Sequence, residues 1–398
     1  MSPGTPRVVS RNPSRLPISE AEHSIAVCHV ASGDLWAGAE AQAASLLRAL
    51  ARRENLSLMA ILLNEGRLAQ EMRACGIEVK VIPESTTGIL ATLWEATRYL
   101  RGRRIHILHS HRYKENVLAA LLAWTCRVPF VVRTQHGLPE PFGGARGWKQ
   151  KLVQRLDRFV ARFATDRVIS VSSELRGHLS RYVDPRKVVV INNGLDTERV
   201  SSSLSSSEAK QRLGIPAFCR TLGYAGRFEP VKRLDLFLAA AKLIAGQIPN
   251  VRFILVGTGS EEARLREIAR AQGLENSVMF LGHRNDIYDV LRAMEVFVLC
   301  SDHEGLPMVL LEALHLGVPV VGRRVGGLPE VIEDGADGLL LGSAGPADLA
   351  HACLSILENE PLREQMARAG TEVVAGHFSV AQTAEKVARL YSSLCGFG

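Results

Sequence analysis

The sequence contains no long apolar run and no closely spaced pair of cysteines. Its longest apolar stretch, residues 117–126, is far shorter than the roughly 20 residues that a membrane-spanning helix needs. The 7 cysteines are odd in number, scattered and without a C-x-x-C pair, so the sequence indicates neither a disulfide framework nor a zinc site. We therefore expect a protein of the reducing cytoplasm.

Two further patterns are missing. Gly257 and Gly259 form a G-x-G turn after an apolar strand, but Glu262 occupies the place of the last glycine in the dinucleotide-binding pattern G-x-G-x-x-G. A hydride-transferring enzyme is therefore disfavoured. Residues 1–22 are rich in proline, serine and arginine and lack the apolar core of a signal peptide, so we expect a disordered basic tail there.

Charge is divided unevenly along the chain. Residues 1–195 hold 28 Lys and Arg against 16 Asp and Glu, a balance of +12, whereas residues 196–398 hold 20 against 25, a balance of −5. The basic half is either a plain solvated surface or a surface that faces anionic lipid or substrate. With 398 residues and 46% hydrophobic content, the chain is long and apolar enough for two domains with sizeable cores.

Short apolar runs alternate with helical patterns through both halves of the chain. The strands predicted in the first half are 25–31, 56–63, 77–82, 105–109, 130–133, 167–171 and 188–191. Those predicted in the second half are 221–225, 253–256, 278–282 and 296–299. This alternation predicts an α/β fold with doubly wound parallel sheets.

Residues 147–163 have the pattern of a basic amphipathic helix. Apolar residues at helical spacing are interleaved with five cations, Lys149, Lys151, Arg155, Arg158 and Arg162. The pattern fits a helix that packs in the core with a solvated basic face, and it fits equally a helix that lies on a membrane surface.

The stretch from Leu299 to Leu341 carries the most specific pattern. A buried strand is predicted to end at Leu299, and a helix to begin directly after a short polar loop. The free N–H groups and the positive dipole end of a helix start attract phosphate. The residues assigned to this phosphate-binding helix start are Gly305, Leu306, Pro307, Met308 and Val309, of which Pro307 has no N–H to donate.

Two glutamates lie eight residues apart around this helix start. Glu304 precedes the helix, and Glu312 lies inside it on the same face as Val309, Ala313 and Leu316. A carboxylate on a mostly apolar face is costly unless it accepts hydrogen bonds, and the two hydroxyls of a ribose match its two oxygens. The alternatives are that Glu304 caps the helix and that Glu312 is solvated.

The run S-x-x-E-G-x-P-x-V-x-L-E-A from Ser301 to Ala313, followed by G-x-P-V-V and G-G-x-x-E-x-I-x-D-G-x-x-G-L, resembles the donor-site signature of glycosyltransferase family 4. Members of that family are retaining sugar transferases of the GT-B architecture, with two Rossmann-like domains that face each other across a cleft. The resemblance implies that Glu304 is a catalytic residue holding sugar hydroxyls and that Glu312 binds the ribose of a nucleotide-sugar donor.

Motifs in the first half resemble other parts of the family pattern. Gly38 with Glu40 resembles the G-G-x-E turn beside the donor phosphate and the acceptor, although Ala37 replaces its first glycine. His136, in T-Q-H-G, resembles the histidine of the T-x-H-G turn, which lies near the transferred sugar and is a second catalytic candidate. His111 forms an H-x-H pair at a strand end, which we interpret as lining the substrate pocket in preference to binding a metal.

Two motifs in the second half complete the resemblance. Arg227 and Lys232 match the family's G-R-x-x-x-x-K, which holds the donor diphosphate. Arginine can fork onto phosphate oxygens and lysine adds a point charge. Arg284 lies in a loop that flanks the nucleotide base in relatives, so it is a candidate for binding the substrate.

The motif Asn193-Gly194-Leu195-Asp196 resembles the N-G-x-D that closes the first domain in this family. The predicted division of the chain is a basic tail over 1–22, an acceptor-side domain over 23–200, a serine-rich linker over 201–210, a donor domain over 211–377 and a helix over 378–398 that crosses back to the first domain.

The reaction expected is transfer of a sugar with retention from a UDP- or GDP-sugar to a glycan or lipid-linked acceptor, in bacterial surface polysaccharide or glycolipid assembly. No D-x-D occurs in the sequence, so no metal and no other cofactor is predicted, and the leaving charge is assigned to Arg227, Lys232 and the helix start. The expected location is the cytoplasm, at the inner face of the membrane, with no nucleic-acid partner. The alternatives are a GT-B nucleotide-sugar epimerase and a non-catalytic nucleotide-sugar-binding protein.

Overall fold

The computed structural model describes residues 24–33, 36–84, 86–138, 147–342 and 345–397. For residues 147–152 the structure describes the backbone and not the side chains. The tail predicted over 1–22 and the lysines at 149 and 151 therefore lie outside the described residues.

The first half of the chain forms a parallel sheet of seven strands. Its order is β3-β2-β1-β4-β5-β6-β7. The strands are β1 (Ile25–Ala31), β2 (Leu56–Leu62), β3 (Glu78–Val81), β4 (Ile107–Ser110), β5 (Phe130–Gln135), β6 (Arg167–Ser170) and β7 (Val188–Val190). The helices between them are α1 (Gly38–Ala51), α2 (Arg67–Ala74), α3 (Ile89–Leu100), α4 (Tyr113–Thr125), α5 (Gly147–Phe163) and α6 (Ser173–Leu179).

The second half forms a parallel sheet of six strands in the order β10-β9-β8-β11-β12-β13. The strands are β8 (Arg220–Ala225), β9 (Val251–Val256), β10 (Val278–Phe280), β11 (Val296–Leu299), β12 (Val320–Arg323) and β13 (Gly338–Leu341). The helices are α7 (Ser206–Arg212), α8 (Leu234–Ala245), α9 (Glu262–Ala271), α10 (Ile287–Arg292), α11 (Met308–His315), α12 (Leu328–Val331), α13 (Pro346–Leu357), α14 (Glu360–His377) and α15 (Val380–Cys395).

Each sheet has one place where the order of its strands reverses. That place lies between β1 and β4 in the first sheet and between β8 and β11 in the second. At such a point the connections from two neighbouring parallel strands lead to opposite sides. A crevice forms there at the carboxyl ends of the strands, which is where open α/β sheets bind ligands. The topology therefore provides one ligand crevice in each half of the molecule.

The last helix, α15, belongs to the core of the first sheet although it follows the whole second sheet in sequence. Ala384, Val387 and Tyr391 are buried in one hydrophobic cluster with Val27 of β1 and Leu46 of α1. The chain reaches this position through a parallel β-bridge between Leu195 and Ser379. The two halves are thus joined by two passages of the chain, one before α7 and one before α15.

Two local predictions differ from the structure. The helix predicted to begin with Gly305, Leu306 and Pro307 begins at Met308, because Pro307 is extended (φ −69°, ψ 132°) and acts as the N-cap. The serine-rich stretch predicted as a linker holds the start of α7. Ser205 accepts a hydrogen bond from the Glu208 N–H, and the Glu208 carboxylate accepts one from the Ser205 N–H, forming a capping box.

Candidate functional site

The loops that follow β5 and β11 meet between the two sheets. An ideal Cβ placed on Gly305 would lie 1.9 Å from the carbonyl oxygen of His136, so only glycine fits at this position. The contact brings the sequence-predicted residues of the first half next to those of the second half. The candidate site is therefore built by both sheets.

Lys232 and Glu304 are paired on the side of the second sheet. The Lys232 Nζ lies 2.8 Å from one carboxylate oxygen of Glu304 and 2.9 Å from the other. The hydroxyl of Ser301 donates a further hydrogen bond to Glu304, at 2.5 Å. Only 16% of the Lys232 side chain and 8% of the Glu304 side chain are exposed, so the pair is largely shielded from water. It connects the loop after β8 with the loop after β11, across the reversal of the sheet.

The two glycines that follow β12, Gly326 and Gly327, pack against the backbone of the Glu304 loop. Gly326 has φ +60°, and a Cβ there would lie 2.4 Å from the Glu304 carbonyl oxygen. The Gly327 N–H donates a hydrogen bond to the Gly305 carbonyl at 2.5 Å. Both positions exclude a side chain, so the two glycines fix the backbone that carries the Glu304 carboxylate.

The two arginine candidates differ in their surroundings. Arg227 is exposed in the turn after β8, where its carbonyl accepts a hydrogen bond from the Tyr224 hydroxyl at 3.0 Å. Arg284 makes a two-pronged ion pair with Asp286, with N···O distances of 2.8 and 2.6 Å. That ion pair raises the pKa of Arg284 and lowers the pKa of Asp286. Arg284 is therefore already occupied by a neighbour in its own loop.

Glu312 lies on α11, near Tyr288 of α10. Its carboxylate is half-buried, and no hydrogen-bond partner for it is found within the described part of the chain. Burial raises the pKa of Glu312 to about 7. The charge of Glu312 is therefore costly to the protein without a ligand, as expected of a group that a ligand is to satisfy.

Two carboxylates hold the two halves together in a reciprocal way. Glu330, from the second half, accepts hydrogen bonds from the Ser173 N–H at 2.5 Å and from the Asn192 side chain at 2.8 Å. Glu174, from the first half, accepts one from the Gly326 N–H at 2.6 Å. The Asn193 side chain donates to the Leu306 carbonyl at 2.7 Å. These contacts align the Glu304 loop with the first sheet.

Four histidines are packed side by side below the crevice of the first sheet. His29 and His109 are cross-strand partners on β1 and β4, and His111 and His136 follow the ends of β4 and β5. The His29 Nδ1 lies 3.1 Å from His111 Nε2, and the His111 Nδ1 lies 3.4 Å from His136 Nε2. Burial lowers the pKa of His111 to about 4 and lowers the pKa values of the other three well below their usual range, so all four rings are neutral at pH 7.

The start of α1 is linked to the histidine cluster through Arg112, the residue that follows His111. Gly38 begins α1, and a Cβ there would meet no atom of the described residues within 4 Å. Glu40, two residues later, is buried and forms an ion pair with Arg112 at 2.5 Å. The glycine borders open space, which leaves room for a ligand to approach the backbone.

Comparison with known proteins identifies the chain. The family described as Glycosyl transferases group 1 matches residues 205–373, and the family described as Glycosyltransferase Family 4 matches residues 36–199. The D-inositol 3-phosphate glycosyltransferase of Stackebrandtia nassauensis is 31% identical over 309 residues, which cover 72% of this chain and 67% of that protein. The chain belongs to glycosyltransferase family 4.

Other glycosyltransferases give the same result for sequence and fold. The UDP-Gal:alpha-D-GlcNAc-diphosphoundecaprenol alpha-1,3-galactosyltransferase of Escherichia coli is 29% identical over 300 residues, covering 74% of this chain and 77% of that protein. The crystal structure of Anabaena HepE in complex with UDP-glucose superposes with a TM-score of 0.81 at 22% identity, covering 93% of this chain and 100% of that chain. The predicted family and the predicted GT-B fold of two Rossmann-like domains are confirmed.

Most candidate residues of this glycosyltransferase are close to one another. Lys232, Glu304 and Gly305 are joined by direct contacts, and His136 touches the same loop from the other domain. The N–H groups of Met308 and Val309 open α11, and within the described residues no side chain caps this helix start. The roles assigned to each of these residues stay predictions.

Sequence reasoning about this transferase missed three contributors to the site. Tyr391 reaches His109 from α15, and His29 reaches His111 from β1, across 282 and 82 positions of sequence respectively. Glu174 binds the Gly326 N–H across 152 positions. One signal was available, because His29 interrupts an otherwise apolar strand and a polar residue in a buried strand needs a partner.

Replacing Glu312 with glutamine is expected to stabilise this glycosyltransferase at alkaline pH. The folded pKa of about 7 lies above the unfolded value of 4.5, so the protonated form favours folding. This contribution is complete below pH 4.5 and is lost as the pH rises through 7. At pH 8 this raised pKa lowers the free energy of unfolding by roughly 3 kcal/mol, and a glutamine at this position does not carry that cost.

Urea unfolding of the wild type and Glu312→Gln at pH 8 and pH 4.5 measures this effect. We expect a large gain in the free energy of unfolding at pH 8 and little difference at pH 4.5. Equal stabilities at pH 8 would show that the carboxylate is adequately solvated in the absence of a ligand.

Proposed function

We propose that this glycosyltransferase moves a sugar, with retention, from a UDP- or GDP-sugar to a lipid-linked or glycan acceptor. The observation that carries the proposal is the shielded Lys232–Glu304 pair at the β8/β11 crevice, directly across from His136. The loop that carries this carboxylate, paired with the cation, thereby contacts the backbone of His136, whose imidazole is neutral. A cation, a carboxylate and a neutral imidazole are the set of groups needed to hold a diphosphate and the hydroxyls of a sugar.

In the proposed reaction, the bond between the anomeric carbon and the phosphate oxygen breaks. The acceptor oxygen bonds to the same face of that carbon, and its proton passes to the leaving phosphate. Lys232, Arg227 and the first N–H groups of α11 neutralise the charge that grows on the diphosphate. Glu304 holds the sugar hydroxyls, and Glu312 accepts hydrogen bonds from the ribose, which restores the partners that its carboxylate lacks.

The relatives support the classes of donor and acceptor. The name of the E. coli relative specifies a UDP-sugar donor and a diphosphoundecaprenol acceptor, and HepE was crystallised with UDP-glucose. A lipid-linked diphosphate acceptor matches the excess of basic residues in the first half of this chain. Because we assign Lys232 and Arg227 to the diphosphate, we propose that no metal is needed.

A two-step experiment tests the proposed function. A thermal-shift screen against UDP-, GDP- and ADP-sugars identifies the donor, since a ligand at 100 times its Kd stabilises the native state by about 2.7 kcal/mol. Transfer to a polyprenyl-diphosphate-linked sugar is then followed with and without EDTA. We expect transfer in both conditions. If EDTA abolishes transfer and Mg²⁺ or Mn²⁺ restores it, the metal-free part of the proposal is wrong. Epimerisation of the donor without an acceptor, or donor binding without turnover, would refute sugar transfer itself.

The acceptor-side domain also exposes apolar side chains on three successive helices. Trp94 of α3 is 61% exposed and Trp124 of α4 is 81% exposed. Further members of this exposed set are Ile89, Leu90, Phe159 and Phe163. The Arg98 guanidinium lies 5.4 Å from the Trp94 ring centre, and that of Arg162 lies 5.2 Å from the Phe163 ring centre. Tryptophan beside cations is typical of a membrane–water interface.

We propose that this apolar and basic surface lies on an anionic bilayer. On α5, Val160 and Ala161 are buried whereas Leu156, Phe159 and Phe163 are exposed, so the apolar residues of that helix are only partly used by the core. In the part of the chain that the structure describes, no helix combines the length and apolar character needed to cross a bilayer. Attachment would therefore be peripheral, with each cation near the lipid contributing roughly 1 kcal/mol.

Changing Trp94 and Trp124 together to serine is expected to reduce sedimentation with anionic liposomes several-fold. The matched control is Phe218→Ser, which removes an aromatic side chain that is 71% exposed on the donor domain. Wild-type binding should weaken with salt, because the attraction to lipid extends only about 8 Å at physiological ionic strength. Equal binding to neutral and anionic vesicles, or full binding by the double variant, would contradict the proposal.

A further inference from the structure

The buried histidines His29, His109 and His111 form part of a longer hydrogen-bonded row that reaches from the core to the half-buried His136. The row begins at the Thr134 hydroxyl, 2.8 Å from His109 Nε2. The His109 Nδ1 lies 2.5 Å from the Tyr391 hydroxyl, which lies 3.5 Å from His29 Nε2. From His29 the row continues through His111 to His136, at 3.1 and 3.4 Å. Each ring from His109 to His111 uses both of its nitrogens.

The geometry of the rings supports hydrogen bonding through their edges. His29 and His111 are inclined by 19° with centroids 5.4 Å apart, and His111 and His136 by 21° at 5.6 Å. Nearly coplanar imidazoles at that separation, with nitrogens 3.1 to 3.4 Å apart, face each other edge to edge. A proton on one nitrogen therefore points at the lone pair of the next.

Counting protons sets the direction of the row. The four neutral rings, the Tyr391 phenol and the Thr134 hydroxyl have one proton each, and five contacts join these six groups. One proton is therefore left over, either at an end of the row or on Tyr391, whose oxygen can accept from both of its neighbours. A Tyr391 proton turned out of the row in this way has no acceptor among the described residues. Within the described residues, Thr134 Oγ1 has no partner other than His109, so a proton left at that end would stay without an acceptor in the core.

At the other end, the leftover proton lies where a ligand can accept it. His136 Nδ1 is on the side of the ring away from the row, and no partner for this buried atom is found among the described residues. The His136 carbonyl meets Gly305 of the donor domain, so the residue borders the crevice between the domains. A substrate oxygen at His136 Nδ1 would satisfy every proton of the row at once.

We propose that Thr134, His109, Tyr391, His29 and His111 hold His136 as the neutral tautomer with its proton on Nδ1. His136 then donates a hydrogen bond to an oxygen of the bound substrate, and the other five groups are positioning residues. The contact with substrate rests on the proposed function, whereas the tautomer does not.

A metal bound by His29, His109 and His111 is the competing explanation. Their ligand atoms lie within 4.8 Å of one another. Tetrahedral zinc, with Zn–N bonds of about 2.0–2.1 Å, separates its ligand nitrogens by only roughly 3.4 Å. All three rings already have hydrogen-bond partners at both nitrogens, so the row explains the arrangement without displacing any contact.

Long-range ¹H–¹⁵N correlation spectra of protein labelled at the histidine rings test the proposal. The His136 signals are identified by their loss in His136→Gln. In the wild type we expect a neutral His136 with its proton on Nδ1 at pH 7. Tyr391→Phe removes one hydroxyl from the middle of the row and keeps the packed ring, and it should move His136 toward the Nε2-protonated form. Thr134→Val, which is close to isosteric, should act in the same direction from the far end.

Tyr182→Phe is the matched control, because it removes a phenol of the same domain that lies outside the row. It should leave the His136 spectrum unchanged. The proposal is overturned by a proton on His136 Nε2 in the wild type, by an unchanged His136 in both row variants, or by one equivalent of a transition metal per purified chain.

Kinetics separate this proposal from the proposed function. We expect Tyr391→Phe to lower kcat about tenfold at an unchanged KM for the donor, the effect of weakening one hydrogen bond in the transition state. A chain that transfers no sugar but shows the expected tautomers refutes the function and keeps the row. Normal transfer with the wrong tautomer refutes the row and keeps the function.

Discussion

Lys232→Met is expected to lower kcat/KM by about 10² to 10³, the loss of roughly 2.7–4 kcal/mol that follows removal of one preorganised charge-stabilising donor. The ammonium group lies in a shielded position, where its effect on a diphosphate is stronger than in water. Arg233→Met is the matched control, because Arg233 is the next residue and its side chain is paired with Asp235. Steady-state kinetics of both variants measure the effect.

The contact between Lys232 and Glu304 makes their substitutions interdependent. Removing either side chain leaves a shielded charge without its partner. The losses of activity in the two single variants should therefore add up to more than the loss in the double variant. A cycle of Lys232→Met, Glu304→Gln and the double variant measures this coupling. Glu304→Gln should mainly lower kcat, because Glu304 is assigned to the reacting sugar. Strictly additive effects, or wild-type kinetics in Lys232→Met, would remove the pair from the site.

Asp157→Ala is expected to destabilise the acceptor-side domain by about 3–5 kcal/mol, the cost of leaving a buried charge unpaired. Its carboxylate accepts two hydrogen bonds from Arg133, at 3.0 and 3.1 Å, and one from Asn116 at 2.7 Å. The side chains of Arg133 and Asp157 are only 1% and 11% exposed. The pair fixes α5 to β5, the strand that leads to His136.

Chemical unfolding of Asp157→Ala measures this loss, with Arg158→Ala as the control on the same helix. Arg158 is exposed, so its removal should change stability by no more than about 0.5 kcal/mol. The double variant Arg133→Met/Asp157→Leu should recover most of the loss, because two apolar side chains leave no unpaired charge. A loss below 1 kcal/mol in Asp157→Ala would show that water reaches the guanidinium.

Most strands of this protein were predictable because they are short apolar runs between turn residues, but β12 and β13 are not among the strands predicted above. β1 and β11 have the predicted limits, since both are buried on two faces and end at polar residues. The start of α7 was predictable too, from Ser205 and Glu208 at capping-box spacing, although the serine-rich composition of the same stretch indicates a linker. Apolar runs and capping-box spacing therefore predict local structure well, and the spacing of specific residues is a better guide than overall composition.

The contacts of the site were not predictable from local patterns. Motif resemblance placed Lys232 on the diphosphate and Glu304 on the sugar, and nothing in the spacing showed that the two side chains touch. Tyr391 reads as one apolar position of an amphipathic helix, and its contact with His109 depends on the path of the whole chain. The sequence did not show which large apolar side chains are buried. Trp94 and Trp124 are of a residue type that is mostly buried, but both are exposed.

The position of α15 dictates an order of events during synthesis. Val27 and Leu46 leave the ribosome long before Val387 and Tyr391, which belong to the same buried cluster. About 350 residues separate β1 from α15. At roughly 5–20 residues per second, their synthesis takes some 20 to 70 seconds. Throughout that interval the nascent first domain has an open apolar face, whereas the residues of the second sheet emerge within a single uninterrupted stretch. A first domain released before α15 is made would therefore expose the apolar residues that this helix covers, and such exposed surface favours aggregation.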